Sequence, residues 1–161
     1  MMGSRLALLL FAVGVNAKLT PDYYKDTCPD FQKIICETIT NKQISTPTIA
    51  AGTLHLFMHD CFSLAGDAFD VITRNRVALE LACPKTVSCA DILEQATRDL
   101  VTMVGGPFYM VRLGRKDGFV SQASRVTGNF PTRNTTLDQT VELFQRKGFA
   151  PQELVTMMGA H

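Results

Sequence analysis

Residues His55 to Cys61, His-Leu-Phe-Met-His-Asp-Cys, gather two imidazoles, a carboxylate and a thiol within two turns of an apolar segment. Residues four apart share a helix face, so His55 and His59 are spaced to ligate one metal, with Asp60 or Cys61 beside them. A zinc site is one reading of this spacing. The other is two core histidines satisfied by hydrogen bonds, because the i, i+4 pair supplies only two ligands and His161, the third histidine, is remote in sequence. The five cysteines, Cys28, Cys36, Cys61, Cys83 and Cys89, are an odd number. Their spacing does not choose among the possible pairings. Asn134-Thr135-Thr136 is an N-glycosylation sequon placed on a turn.

The elements that must position these groups are mostly helical. Asp30 is set to cap a helix running to about Ile44, with Phe31, Ile34, Ile35, Thr38 and Ile39 on its apolar stripe. Thr46-Pro47-Thr48 breaks it, and Ile49 to Phe62 forms a second helix apolar enough to be largely buried. Asp70 or Asp67 caps a third helix through Leu81, ended by Cys83-Pro84. Ser88 caps a fourth from Cys89 to Val104, closed by Gly105-Gly106-Pro107. From Phe108 to Val120 the pattern turns to period two, which predicts a minor β-hairpin about Gly114. Helices from Leu137 to Lys147 and from Pro151 onward complete an all-α, mainly helical chain.

The 161 residues are 46% hydrophobic and 19% charged, the size of one small globular domain. Sixteen basic against fifteen acidic residues, without a charge run, exclude a general attraction for nucleic acid or an anionic membrane. Residues 1–17 place Arg5 before an apolar run from Leu6 to Val15, followed by small residues at Val15 and Ala17, and read as a signal peptide cleaved after Ala17. The run is short for a membrane span. The expectation is a secreted chain, 18–161, with no membrane partner after cleavage, whose cysteines meet an oxidising compartment.

Seven ordered motifs between Lys18 and His161 resemble the secreted class III plant haem peroxidases. They are Leu19-Thr20-Pro21 with Tyr24 and Thr27-Cys28-Pro29, Leu56 to Phe62, Ala82 to Leu93, Gly105-Gly106-Pro107, Leu113 to Asp117, and Met158-Gly159-Ala160-His161. The resemblance implies a helical haem-peroxidase fold, here its N-terminal distal half, with haem b and calcium as cofactors. It implies reduction of hydrogen peroxide and oxidation of small phenolic donors, in response to oxidative stress, in the cell wall or apoplast. His59 matches the distal histidine that takes a proton from peroxide and delivers it to the departing oxygen. His161 matches the proximal iron ligand. Pro131 matches a residue at the haem-edge channel used by aromatic donors, Asp60 a calcium ligand, and Cys28 with Cys83 a disulfide pair.

The sequence also departs from the pattern. His55 stands where the family has an arginine whose fixed positive charge steadies the developing negative oxygen. After Phe62 the family's Gly-Cys-Asp-x-Ser loop, which supplies calcium ligands and a partner for Cys61, is absent, which implies an internal deletion; the calcium site is incomplete. The chain ends on His161, before the segments that complete the proximal side, and Cys89 lacks its family partner. Two other readings therefore stand beside the peroxidase: a non-catalytic truncated remnant of one, and a small secreted zinc-binding protein built on His55 and His59.

Overall fold

A computed structural model describes residues 19–60, 66–118, 128–129, 131–132 and 134–159, without the side chains of 55–60 and 66–69. Residues 1–18, Cys61 and His161 lie outside that set, and with them the expected signal peptide. Six helices follow in order: α1 Phe31–Ser45, α2 Ile49–Asp60, α3 Gly66–Ala82, α4 Cys89–Met103, α5 Leu137–Arg146 and α6 Pro151–Gly159. Each boundary has a local cause. The Thr46 N–H closes α1 on Lys42 O at 2.8 Å, just before Pro47 removes a donor. Ser88 Oγ accepts from Asp91 N at 3.2 Å and starts α4. Thr136 and Gln139 form a reciprocal capping box at α5.

The third helix begins earlier than expected. Because α3 starts at Gly66, Asp67 and Asp70 are both inside it and cap nothing from a flanking position. Asp70 instead accepts from Lys42 Nζ of α1 and from Arg74 Nε one turn on, each at 2.8 Å. These two bonds, Arg74 first, hold its carboxyl below the usual carboxylate range.

Helices α1 to α4 pack on one another, with α2 laid against α3 and α4. Their shared core takes Ile35 and Ile39 from α1, Ile49 from α2, Val71, Ile72 and Leu79 from α3, and Ile92, Leu93, Ala96 and Leu100 from α4. The fourth helix is buried on several sides, since Gln95 and Thr97 are as enclosed as its apolar stripe. A smaller cluster joins α5 and α6 through Phe144 and Leu154, with Val141, Phe149 and Met157 packed against it.

The hairpin about Gly114 is not formed. Residues 108–118 carry no strand, and 119–120 lie outside the described set. Leu113 pairs instead with Thr20 in a single antiparallel bridge, with N–H to O distances of 2.9 and 3.0 Å. The donors a returning strand would need are already used, because the Gly114 and Arg115 amides both point at the Asp91 carboxylate. The alternation that suggested a hairpin reflects Val111 and Leu113 reaching the core from an extended segment, 4% and 1% exposed.

Candidate functional site

Helix α2 carries His55 and His59 one turn apart and ends at Asp60, so the backbone places the three on one short segment. Their side chains are outside the described set. Pro131 is half-buried in the irregular stretch that leads to α5. His161 lies outside the described residues.

What the structure does describe is the frame that holds α2. Its centre is Asp91, fully buried on the first turn of α4. Tyr24 Oη donates to Asp91 Oδ2 at 2.7 Å, and so does Gly114 N at 2.7 Å. The Arg115 amide donates to the same oxygen at 3.1 Å, while its Nη1 reaches Oδ1 at 3.1 Å and its Nη2 reaches Glu94 Oε2 at 3.1 Å. Three donors and one paired guanidinium satisfy a carboxylate that would otherwise be costly to bury. Burial, and then the bond to Asp91, raise the Tyr24 phenol far above the ordinary tyrosine value. Gly114 is required here: its φ is +116°, and a Cβ would lie 2.8 Å from the Tyr23 ring.

A second carboxylate caps the same helix. Asp117 accepts from Cys89 N at 2.9 Å and Ala90 N at 3.4 Å, opposite the positive end of the α4 dipole. Cys89 Sγ accepts from Arg76 Nη1 of α3 at 2.9 Å. Burial first, and then the Asp117 charge, push this thiol up, against the lowering pull of the Arg76 guanidinium. Cys36 is a free thiol on the exposed side of α1.

Cys28 and Cys83 are joined in a disulfide, their Cα atoms 5.6 Å apart. It ties the segment before α1 to the end of α3, beside the Tyr23, Tyr24 and Phe31 rings, which meet edge-on and tilted at 5.0 and 4.7 Å. In the sequence Tyr24, the stretch Ala82–Leu93 that contains Asp91, and Leu113–Asp117 read as three separate motifs. The hub that unites them was missed, although an aspartate set among the apolar residues of α4 was a signal that its charge has a partner.

The peroxidase family model matches residues 63–161. Peroxidase 41 of Arabidopsis thaliana is 53% identical, in an alignment taking up 89% of this chain and 52% of the relative. Peroxidase 65 of the same plant is 52% identical over 90% of this chain and 51% of its own length. Peroxidase 31 is 45% identical over 98% and 58%. The chain belongs to the plant peroxidase family, and spans about half the length of the curated relatives it matches. The first alignment runs over 169 positions yet uses 89% of 161 residues, about 143, so about 26 positions of the relative face a gap in this chain.

Membership implies haem and calcium in general. On α2 the two imidazole-bearing positions stand in i, i+4 register, while His161, the position that matches an iron ligand, lies outside the described residues. Toward calcium, which takes six to eight oxygens, no group of three or more His, Cys, Asp or Glu converges among the described residues. No helix among them is long and apolar enough to cross a membrane.

Proposed function

We propose that residues 18–161 form the distal half of a secreted haem peroxidase domain, led into the secretory route by residues 1–17, that reduces hydrogen peroxide at the expense of small phenolic donors. Family membership through residues 63–161 carries this reading. Haem, when bound, supplies the iron centre and the electron equivalents, with His161 as the residue that would hold it. Within the chain, the His59 imidazole accepts the proton of the incoming peroxide and returns it to the departing oxygen, the two-way transfer that an imidazole's ring nitrogens allow. His55, shorter than arginine and without its permanent charge, gives the departing oxygen less electrostatic help. Losing one such preorganised donor costs on the order of 10²–10³ in rate. Pro131 lines the approach of the donor.

The reading of a low-activity remnant is favoured by the same His55 and by the gap of about 26 positions against Peroxidase 41. One experiment separates the two. The full chain is loaded with haem, and peroxide-dependent oxidation of a phenol is followed with His59→Ala and His55→Arg beside the parent. A peroxidase loses its rate above free haem in His59→Ala and gains on the order of 10² or more in His55→Arg. A parent indistinguishable from free haem and from both variants overturns the catalytic reading and leaves the remnant.

A further inference from the structure

Between the Gly105-Gly106-Pro107 turn and the Thr20–Leu113 bridge the chain runs extended along the surface. Val111 and Leu113 turn into the core, while Phe108 and Met110 stand out, 66% and 69% exposed, and Arg112 is exposed beyond them. That alternation is the period of a strand. The backbone groups of Tyr109, Met110 and Val111 make no hydrogen bond among the described residues. Leu113 gives both of its groups to Thr20, so in an extended chain those of Phe108, Met110 and Arg112 face the opposite edge. One of them is engaged there: Arg112 O accepts from Arg115 Nη1 at 2.6 Å, and it keeps a second lone pair. An apolar edge with free amides is a template for another strand. Ile44 and Leu81 are more exposed still, at 75% and 82%, but they belong to helices whose backbone bonds are internal and offer no such edge.

We infer that residues 108–112 are a dimerisation edge, paired antiparallel with the same residues of a second copy of this chain about a two-fold axis at Met110. The segment is complementary to itself in that register. Met110 exchanges N–H to O bonds with the partner's Met110, and Phe108 does so with the partner's Arg112, a pairing that recurs on the other side of the axis. Arg112 then lies over the partner's Phe108. One face of the Phe108 ring already holds the Arg98 guanidinium, 4.9 Å from its centroid, and the exposed face receives the second. The two Arg112 charges stand four residues apart along the pairing, about 13 Å at ~3.4 Å per residue. That exceeds the screening length of about 8 Å at physiological salt, so they do not oppose the contact. The contact is small, and interfaces under about 1,200 Å² are weak, so the dimer forms at high concentration and dissociates on dilution.

The test is sedimentation equilibrium of the full chain over a dilution series, in a Cys36→Ser background that removes the exposed thiol of α1. The parent is expected to move from one chain mass toward two as concentration rises. Met110→Lys sets two ammonium groups opposite each other and should weaken association at least about tenfold. Phe108→Arg, facing the partner's Arg112, should do the same. Phe108→Glu offers that arginine a carboxylate, so it should keep the dimer and make it sensitive to salt. Leu81→Lys should change nothing. A parent that stays monomeric throughout overturns the edge. So does a dimer indifferent to Met110→Lys, or one lost alike in Phe108→Arg and Phe108→Glu. Circular dichroism reports whether each variant folds. If the charged variants do not, Met110→Cys decides: opposed Cα atoms about 5.5 Å apart suit a disulfide, so oxidation should join two copies through a bond mapped to position 110 in both, and monomers or bonds mapped elsewhere overturn the proposal.

Discussion

Removing the Tyr24 hydroxyl and the Asp91 charge, singly and together, tests whether the buried hub is a cooperative unit. Tyr24→Phe deletes a donor bonded at 2.7 Å to a carboxylate with no exposed surface, in a residue itself 3% exposed. Hydrogen bonds to charged groups are each worth about 1.5–3 kcal/mol, so a loss of about 2 kcal/mol is expected. Asp91→Asn keeps the shape and strips the charge from under Arg115. Breaking a buried pair costs about 3–5 kcal/mol, and the lower end applies because Arg115 is 31% exposed and keeps Glu94 at 3.1 Å. The double variant has only one interaction to lose between these residues, so it should cost less than the two single losses together by about 1–2 kcal/mol. Urea unfolding followed by circular dichroism, with the disulfide intact, measures all three. Tyr23→Phe, whose ring is 42% exposed, is the control and should stay within about 0.5 kcal/mol. The cycle has a pH signature. Because the folded Tyr24 value is raised, its contribution is complete below the unfolded value of about 10 and fades as pH climbs above it, so the gap between parent and Tyr24→Phe should shrink only in alkali. Strict additivity, or an Asp91→Asn cost below about 0.5 kcal/mol, would refute the claim that this carboxylate organises the frame around α2.

Opening the Cys28–Cys83 bond by paired serine substitution releases a loop of 55 residues and should cost about 4 kcal/mol on chain-entropy grounds, read from the same urea curves. A change under about 1 kcal/mol would mean that the loop stays closed through packing alone. Gly114→Ala forces a side chain into φ +116° and against the Tyr23 ring, so a loss of about 1–3 kcal/mol is expected, with Tyr24 ionising at lower pH as its partner moves. An unchanged melting curve would show that the ring and loop shift freely.

Much of the scaffold is legible residue by residue because helix boundaries are local. Ser88 three residues before Asp91, Thr136 three before Gln139 and Pro47 after Ser45 write starts and stops within a few positions of the backbone they control. The candidate site is legible differently. His55, His59 and Asp60 stand on a helix the sequence predicts, and the order of motifs from Leu19 to His161 points to the peroxidase family that residues 63–161 then match. Asp70 was misread as a cap because an aspartate near a helix start offers the same oxygen to a backbone amide or to a neighbouring cation, and Lys42 is 28 positions away. The local sequence holds no record of which is nearer.

The sequence by itself determined the helices, the chemistry-bearing stretch from His55 to Cys61 and the family, since each depends on residue types at short or ordered spacing. Tertiary structure alone decided that Tyr24, Asp91 and Arg115 are one object. The 67 positions between Tyr24 and Asp91 are closed only when α4 docks beside the N-terminal segment. The same docking turned an alternating stretch away from a hairpin, because a buried carboxylate binds amide donors more strongly than a neutral strand carbonyl does, and Gly114 and Arg115 gave theirs to Asp91.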